Sequence, residues 1–310
     1  MNELPQQLVN GLLLGSMYGL VAIGYTMVYG IVQLINFAHG EIFMLGGFGA
    51  ITVYLYVLPD GTNLWVALPL MLVGGIIVAV LAAVGAERLA YRPLRTAPRL
   101  APLITAIGLS LALQQAVWAW YPDAKESVNF PQIKGGPFEI AGVTIQTGDI
   151  FLLIAAPISM AVLAYFVMKT RTGRGMQATA QDPDTAKLMG INTDRIIVVA
   201  FALGAAFAAV GAVAYGLKYG QVQFRMGFIL GLKAFTAAVL GGIGNIYGAM
   251  LGGVALGLAE ALSTAYISDI PGMDQFGSQS WANVWAFALL ILVLLFRPQG
   301  LLGERVADRA

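Results

Sequence analysis

The sequence contains no cysteine, only one histidine and few charged residues. Without cysteine the chain can form neither a disulfide framework nor a thiol-based site, and a single histidine excludes the usual zinc sites. Charged residues make up 11% of the chain, whereas a soluble domain carries about 25%. This shortage of charge excludes an ordinary water-soluble globular protein.

The sequence also lacks a nucleotide-binding loop. No Gly-Lys pair occurs in it, so the Walker loop that surrounds phosphate groups is absent. The glycine-rich stretch 241–253 has Tyr247 where a dinucleotide-binding loop requires its third glycine. We therefore expect no catalytic residue, no metal and no cofactor in this chain, and we predict that it is not an enzyme.

Hydrophobic residues, by contrast, account for 58% of the chain, and the mean hydropathy is +0.78. Continuous apolar runs of about 20 residues recur, each long enough to cross a hydrocarbon core, and they favour helices over the alternating strands of a β-barrel. We predict an all-α polytopic membrane protein with eight or nine transmembrane helices in one integral-membrane domain, 1–310. The candidate spans are 7–30, 37–58, 64–86, 102–121, 149–168, 196–217, 228–244, 246–267 and 281–296. The short segment 228–244 either crosses the membrane or re-enters from one side.

Basic residues cluster in three of the connections. Twelve of the 17 lysines and arginines follow the third, the fifth or the last span, and these positions share one side of a nine-span chain. Because positively charged loops stay in the cytoplasm, we expect the C-terminus there, and an N-terminus that is a retained first span on the opposite side. The residues are Arg88, Arg92, Arg95, Arg99, Lys169, Arg171, Arg174, Lys187, Arg195, Arg297, Arg305 and Arg309.

Small residues recur at helical spacing in two spans. Gly11, Gly15 and Gly19 lie four apart in the first span, and Gly253 and Gly257 lie four apart in the eighth. In lipid, faces of small residues let helix backbones approach closely. We predict that these glycines mediate helix packing.

Two similar pentapeptides, YGIVQ at 29–33 and YGQVQ at 219–223, follow the first and the sixth span. In the predicted topology they lie on opposite faces, as an inverted repeat requires. The glycine-interrupted region 228–267 has the composition of discontinuous helices. The sequence is therefore compatible with an inverted repeat that contains discontinuous helices.

The connection 122–148, on the side without the basic clusters, contains a hairpin pattern. Phe138 and Ile140, then Val143 and Ile145, alternate around an Ala-Gly turn. This connection, which we expect to be periplasmic if the protein is bacterial, is either a plain connector or a platform for an external partner.

The connection 169–195, on the basic side, contains a short predicted helix. Asp182 and Pro183 suit the N-cap and the first helical position, and Asp184 is favourable near the positive end of the helix dipole. Gly190 suits a left-handed helix stop. Such a short helix is only marginally stable alone in water. It therefore either rests on its own protein or on lipid headgroups, or it inserts into a soluble partner.

The stretch YGIVQLINFAHGEIFMLGG, 29–47, places polar side chains inside a hydrophobic run. Asn36 is predicted to cap a helix, and Glu41 to lie in its first turns near the positive dipole end. His39 either forms a hydrogen bond that joins two helices or belongs to a path through the protein. We interpret this stretch as a helix entry near a cytoplasmic gate.

Glu260 is the second candidate site. It shares one helical stripe with Gly253, Gly257 and Thr264, so its carboxylate is predicted to face the bundle interior. There it either pairs with a basic or hydroxyl group or lines a path, since exposure to lipid is unfavourable. The candidate path or gate residues are Asn36, His39, Glu41, Glu260 and Thr264.

Five stretches, in order over nearly the whole chain, resemble one family. They are AIGYTMVYGIVQLINFAHGE (22–41), TAQDPDTAKLMGINTDR (179–195), GLKAFTAAVLGGIGNIYGAMLGG (231–253), GLAEALSTAYIS (257–268) and FALLILVLLFRPQGLLG (287–303). The chain resembles the permease subunits of bacterial branched-chain amino acid ABC importers, specifically the smaller, high-affinity permease type.

The resemblance implies a subunit that translocates branched-chain or related neutral amino acids across the bacterial inner membrane. In such a membrane the topology predicted from the basic residues places the N-terminus in the periplasm. The implied partners are a second homologous permease, two cytoplasmic ATPase subunits that hold ATP and Mg, and a periplasmic amino acid binding protein. No nucleic acid is implied. The stretch 179–195 would be the coupling segment that docks on an ATPase. The predicted coupling residues are Asp182, Pro183, Asp184, Ala186, Lys187, Leu188, Met189, Gly190 and Ile191.

Other functions remain open at the level of sequence. An ion-coupled secondary carrier would use Glu260, Glu41 and His39. An ABC permease for urea or short amides is another alternative, because relatives of this permease type carry such solutes. An intramembrane enzyme would need an acid–base pair, and His39 with Glu41 is not a convincing one.

Overall fold

The computed structural model describes residues 4–34, 36–95, 97–98, 100–122, 125–133, 135–140 and 142–303. Arg99, Arg305 and Arg309 of the predicted basic clusters lie outside this part. Its α-helices are α1 (Leu4–Val32), α2 (His39–Thr52), α3 (Leu64–Ala86), α4 (Leu100–Trp120), α5 (Thr147–Lys169), α6 (Arg171–Gln181), α7 (Pro183–Leu188), α8 (Thr193–Tyr219), α9 (Met226–Gly241), α10 (Ile246–Tyr266) and α11 (Ala282–Phe296). A π-helical turn, Val53–Val57, continues α2, and Glu87–Tyr91 (π) and Arg92–Leu94 (3₁₀) continue α3. The short 3₁₀ turns Ile267–Asp269, Asp274–Gly277 and Gln279–Trp281 join α10 to α11.

The described part contains seven helices long and apolar enough to cross a membrane. The helices α9 and α11 are also apolar but shorter, with 16 and 15 residues. Each of the nine predicted spans therefore coincides with a helix. The predicted class, an all-α polytopic membrane protein with eight or nine helices, is confirmed.

The centre of the bundle is formed by α1, α2 and α8. Helix α1 packs against α8, α9 and α10, and α2 packs against α3, α8 and α9. Residues 15–28 of α1 are all buried. The outer helices α3, α4 and α5 instead expose apolar side chains such as Leu81, Ile104 and Val162, as a surface in contact with lipid tails permits.

The predicted packing glycines lie where α1 meets α10. A side chain at position 257 would place its Cβ 2.5 Å from the Cα of Gly15, and one at position 253 would place it 2.5 Å from the backbone nitrogen of Gly19. Gly11 lies in the same contact. A Cβ only 2.5 Å from a backbone atom would be far inside van der Waals contact, so at these positions only glycine lets the two helices lie this close. Gly253 and Gly257 thus let the two backbones touch.

Two short connections interrupt the bundle: 33–38 between α1 and α2, whose described residues 33–34 and 36–38 are non-helical, and the non-helical 220–225 between α8 and α9. His39, the first residue of α2, packs against Gly24. Gly24 lies two turns before the end of α1, which is about 12 Å back along the helix axis at 1.5 Å per residue. Helix α2 therefore begins inside the bundle, as a discontinuous helix does.

The helices form two triplets with reciprocal contacts, α1–α3 and α8–α10. If α1, α2 and α3 correspond to α8, α9 and α10, equivalent helices contact each other, as α1 does α8 and α2 does α9. The first helix of each triplet also contacts the third helix of the other: α1 contacts α10, and α8 contacts α3. Gly40 at the start of α2 lies against Gly227 at the start of α9. Gln6 at the start of α1 and Lys218 at the end of α8 bind to Thr144 and Asp149, so α1 and α8 run in opposite directions. This is the arrangement of an inverted repeat.

The prediction that Asn36 caps the helix is wrong. Helix α2 begins at His39, its N-cap position is Ala38, and no side chain caps it. Residues 36–38 form a turn, in which the carbonyl oxygen of Asn36 accepts a hydrogen bond from the backbone N–H of His39 at 3.0 Å. The turn moves the helix start beyond reach of the Asn36 amide. Glu41 does lie in the first turn of α2.

The predicted hairpin is present as strands β2 (Phe138–Ile140) and β3 (Val143–Ile145), which pair antiparallel. Strand β1 (Val128–Asn129) pairs with β4 (Gln221–Val222), a bridge that the sequence does not predict. It attaches the connection between α4 and α5 to the connection between α8 and α9. The hairpin is therefore fixed to the bundle at the end opposite α6 and α7.

Candidate functional site

Helix α7 starts and ends at the predicted residues. The Asp182 side chain accepts hydrogen bonds from the backbone N–H groups of Asp184, at 3.0 Å, and Thr185, at 3.1 Å, and Pro183 lies in the first turn. Gly190 follows with a φ of +82°, a left-handed conformation that glycine adopts without steric cost. Local capping therefore defines this helix of six residues.

The apolar side chains of α7 point in two directions. Ala186 is buried with 3% of its surface exposed, whereas Leu188 and Met189 are 88% and 78% exposed. Lys187 forms an ion pair with Asp184 at 3.1 Å within the helix. Ala186 therefore anchors α7 to the protein, and the two adjacent apolar side chains of Leu188 and Met189 project outward beyond the spans.

Helix α6 is the part of this segment that sequence reasoning missed. Its buried face contains Gly173, Met176 and Thr179 at a spacing of three. Thr170 caps it by accepting a hydrogen bond from the N–H of Gly173 at 3.0 Å. Ile191, the last predicted coupling residue, is half-buried against the core. The threonine cap followed by this spacing is the signal that would have revealed α6.

Asn36, His39 and Glu41 are all buried around the start of α2. The Ser110 hydroxyl of α4 donates a hydrogen bond to the Glu41 carboxylate at 3.1 Å. The His39 ring packs edge-on against Tyr25 of α1, with the ring centroids 4.8 Å apart. Glu41 and His39 thus hold α2 against α4 and α1.

Asn36 connects the break between α1 and α2 to the end of α3. The hydroxyl of Tyr91, in the π-helical turn after α3, donates a hydrogen bond to Asn36 Oδ1 at 2.6 Å. Tyr91 is buried, and its ring centroid lies 5.6 Å from that of Phe201 on α8. Breaking this hydrogen bond would leave two buried polar groups without this partner, which is costly. The bond therefore holds Asn36, and with it the start of α2, against the end of α3.

Glu260 belongs to a buried polar cluster between α1, α9 and α10. Lys233 Nζ lies 2.7 Å from Glu260 Oε1, and the Tyr18 hydroxyl donates a hydrogen bond to Glu260 Oε2 at 2.9 Å. Lys233 also donates to the Tyr18 hydroxyl at 3.2 Å. Thr264 instead uses its hydroxyl on the backbone carbonyl of Glu260 within α10, at 2.9 Å. Of the two alternatives for the Glu260 carboxylate, the structure contains the internal pairing, with a lysine that sequence reasoning did not single out.

The end of the bundle that carries α6 and α7, here called the basic end, contains a second ionic cluster. The Glu87 carboxylate is buried and accepts hydrogen bonds from Arg92, through Nε and Nη2 at 3.2 Å each, and from Arg95. Arg95 Nη1 also lies 2.5 Å from Asp194 in the first turn of α8. Arg95, which the sequence indicated only as a topology signal, ties the end of α3 to the start of α8.

A cavity of about 640 Å³ opens beside α6 at the basic end. Its wall combines the last turns of α1 and α5 with α6 and the connection from α9 to α10. Met27, Met168 and Met176 line it together with the polar Gln177 and Asn245. Within the described ranges, no group of three or more histidine, aspartate or glutamate side chains could hold a metal ion.

The sequence matches one protein-family model over residues 7–294, that of the branched-chain amino acid transport system permease component. The chain belongs to this permease family. Membership confirms the resemblance found in the sequence, and it makes the chain a transport component rather than an enzyme. The described residues of this permease contain seven helices long and apolar enough to cross a membrane and two shorter apolar ones, as expected of a membrane protein.

Curated relatives match this permease over almost their whole length. It is 47% identical to the high-affinity branched-chain amino acid transport system permease protein BraD of Pseudomonas aeruginosa, over 98% of this chain and 97% of the relative. It is 43% identical to the corresponding permease protein LivH of Escherichia coli K12, over 98% and 97%. A probable branched-chain amino acid transport permease protein of Methanocaldococcus jannaschii is 27% identical over 92% of this chain and 88% of its own length.

The permease also has the fold of a solved structure, PsaBC from Streptococcus pneumoniae in complex with Fab. The TM-score is 0.52, and the alignment covers 96% of this chain and 93% of the other. Because only 13% of the residues are identical, the comparison shows a shared fold alone.

Proposed function

We propose that the chain is the membrane permease subunit of an ATP-binding-cassette importer for branched-chain amino acids in a bacterial inner membrane. The observation that carries this proposal is the 47% identity, over 98% of the chain, to a permease protein of a high-affinity branched-chain amino acid system. The exposed Leu188 and Met189 at the tip of α7 support it, because such a transporter needs a surface for a separate ATPase.

The proposed assembly contains this chain, a second homologous permease, two ATPase subunits that bind ATP and Mg, and a periplasmic amino acid binding protein. The ATPase docks on residues 182–191 at the basic end, where the arginines favour a cytoplasmic location. The hairpin β2–β3 at the opposite end faces the binding protein. The N-terminus then lies in the periplasm and the C-terminus in the cytoplasm.

In the proposed mechanism, closure of the ATPases moves α7, and Ala186 transmits the movement to the bundle because it is buried against it. The discontinuous helices α2 and α9 meet through the backbones of Gly40 and Gly227, and in this mechanism they are the elements that shift. The cavity beside Gln177 is the inner mouth of the path. Substrate selectivity resides mainly in the binding protein.

The structural observations do not favour the ion-coupled carrier. Such a carrier needs a carboxylate that exchanges its proton or ion during transport. Glu260 is held by Lys233 and Tyr18, and Glu41 accepts a hydrogen bond from Ser110. Both oxygens of Glu260 are therefore engaged by structural partners, whereas Glu41 has such a partner on Oε1 and, among the described residues, none on Oε2.

The substrate is tested with the assembled complex and its binding protein in proteoliposomes. Radiolabelled leucine, isoleucine and valine are compared with urea and acetamide at equal concentrations. We expect ATP-dependent accumulation of the three amino acids only. ATP-dependent accumulation of urea or acetamide with no accumulation of amino acids would contradict the proposed substrate class while retaining the importer.

A further inference from the structure

The end of α3 contacts two places that the proposed mechanism connects: Asp194, just after the docking residues 182–191, and Asn36, just before α2. The segment 87–95, here called the α3 cap, contains the π-helical turn Glu87–Tyr91 and the 3₁₀ turn Arg92–Leu94. It continues a membrane helix at the basic end. A π-helical turn is rare and is frequently found at functional sites.

The first contact joins the α3 cap to the coupling segment. Arg95 Nη1 lies 2.5 Å from the carboxylate of Asp194. Asp194 lies in the first turn of α8, three residues after Ile191, the last of the proposed docking residues. Only two residues separate Ile191 from Asp194, so a docked ATPase that displaced α7 would also displace Asp194.

The same arginine is fixed to α3 by a buried charge. Glu87 is fully buried, and both Arg95 and Arg92 donate hydrogen bonds to it. Hydrogen bonds between ionised groups are about twice as strong as those between neutral groups. Arg95 therefore moves together with the α3 cap and does not act as a loose surface side chain.

The second contact joins the α3 cap to the helix break. The hydroxyl of Tyr91 donates to Asn36 Oδ1 at 2.6 Å, and Asn36 lies in the connection 33–38 directly before α2. The Tyr91 ring also packs on Phe201 of α8. One buried side chain thus touches both the helix that follows the coupling segment and the connection from which α2 starts.

We propose that the α3 cap links movement of the coupling segment to the break between α1 and α2, with Arg95 and Tyr91 as positioning residues. The inference rests on the proposed function and deepens it. Displacement of α7 pulls Asp194, Arg95 transfers the displacement to the α3 cap, and Tyr91 transfers it to Asn36. The start of α2, with His39 and Glu41, then shifts relative to α9.

The test measures ATP hydrolysed per amino acid imported by the assembled complex in proteoliposomes. Tyr91→Phe removes the hydroxyl that binds Asn36 and keeps the ring on Phe201. We expect uptake per ATP to fall about fivefold, the ratio that corresponds to the roughly 1 kcal/mol of one hydrogen bond, with hydrolysis and complex yield unchanged. The matched control is Tyr215→Phe, because the Tyr215 hydroxyl makes no hydrogen bond to another described residue; its ratio should equal that of the unmodified complex.

A second variant, Asp194→Ala, removes the acceptor of Arg95 and keeps the test decisive if Tyr91→Phe reduces assembly. Asp194 is more than half exposed, so its replacement leaves the fold intact, and we expect the same fall in uptake per ATP. Unchanged ratios in every variant that assembles would overturn the link while the importer function stands. Absence of ATP-dependent uptake by the unmodified complex would overturn both.

Discussion

The ion pair between Lys233 and Glu260 is buried among apolar helices, where each charge depends on the other. Removing one partner of a buried pair leaves an uncompensated charge and costs about 3–5 kcal/mol, whereas replacing both is often neutral. The Tyr18 hydroxyl remains available to a glutamine at position 260. The pair is therefore expected to hold α9 against α1 and α10.

This role predicts how variants of the pair behave. Glu260→Gln alone and Lys233→Met alone should each lower the thermal stability of the detergent-solubilised protein, because each leaves the other charge buried without its partner. The double variant should recover both stability and uptake in the complex. A stable double variant without uptake would instead show that the carboxylate acts on the transported solute.

The close packing of His39 against Gly24 and Gly204 leads to a second prediction at the scale of single residues. A Cβ at Gly24 would lie 2.6 Å from His39 Cε1 and 2.9 Å from the carbonyl oxygen of Gly204. Gly24→Ala should therefore destabilise the protein by about 1–3 kcal/mol through overpacking. The control Gly85→Ala on α3 meets no atom within 4 Å and should be neutral or slightly stabilising, because alanine favours helices. Equal thermal midpoints for both variants would refute the close fit.

At the scale of elements, α7 was predictable because its signals are local. Asp182, Pro183 and Gly190 specify a start, a first turn and a stop within nine positions, and no tertiary contact is needed to interpret them. The hairpin β2–β3 is local in the same way. By contrast, Asn36 was misassigned because its turn is stabilised by Tyr91, and Lys233 was missed because its partner lies 27 positions away on another helix.

The two-sided character of α7 predicts two different defects. Replacing Leu188 and Met189 together with aspartate should reduce uptake about tenfold or more, the effect of losing about 1.4 kcal/mol of docking energy, while the protein still inserts into the membrane. Ala186→Asp should instead lower the amount of folded protein, because it buries a charge. Membrane fractionation and uptake assays separate the two defects; lost insertion of the Leu188/Met189 variant would contradict the docking role.

On the scale of the whole molecule, the two inverted triplets are joined by close backbone contacts. The number of spans followed from hydropathy, since each span is set by bilayer thickness. The glycine spacing predicted that α1 and α10 each have a face for close packing, but not that these two faces pack on each other. The reciprocal contacts of the triplets did not follow, because a five-residue similarity carries no information on which helices touch.

The contact between α1 and α10 predicts a defect of assembly. Gly257→Leu should separate the two backbones and greatly reduce recovery of monodisperse complex in size-exclusion chromatography. Gly108→Leu on α4 is the control, because Gly108 is exposed and a Cβ at that position would have no other atom within 4 Å. Normal recovery of the Gly257→Leu variant would contradict the packing role of the glycine faces.

The central claim is that this chain is a gate driven by a separate ATPase. The direct measurement is leucine accumulation in proteoliposomes that contain either the chain alone or the full complex with binding protein. The account predicts accumulation against a gradient only in the full complex, dependent on ATP and unaffected by collapse of the proton gradient. Uphill accumulation by the chain alone, driven by an ion gradient without ATP, would contradict it.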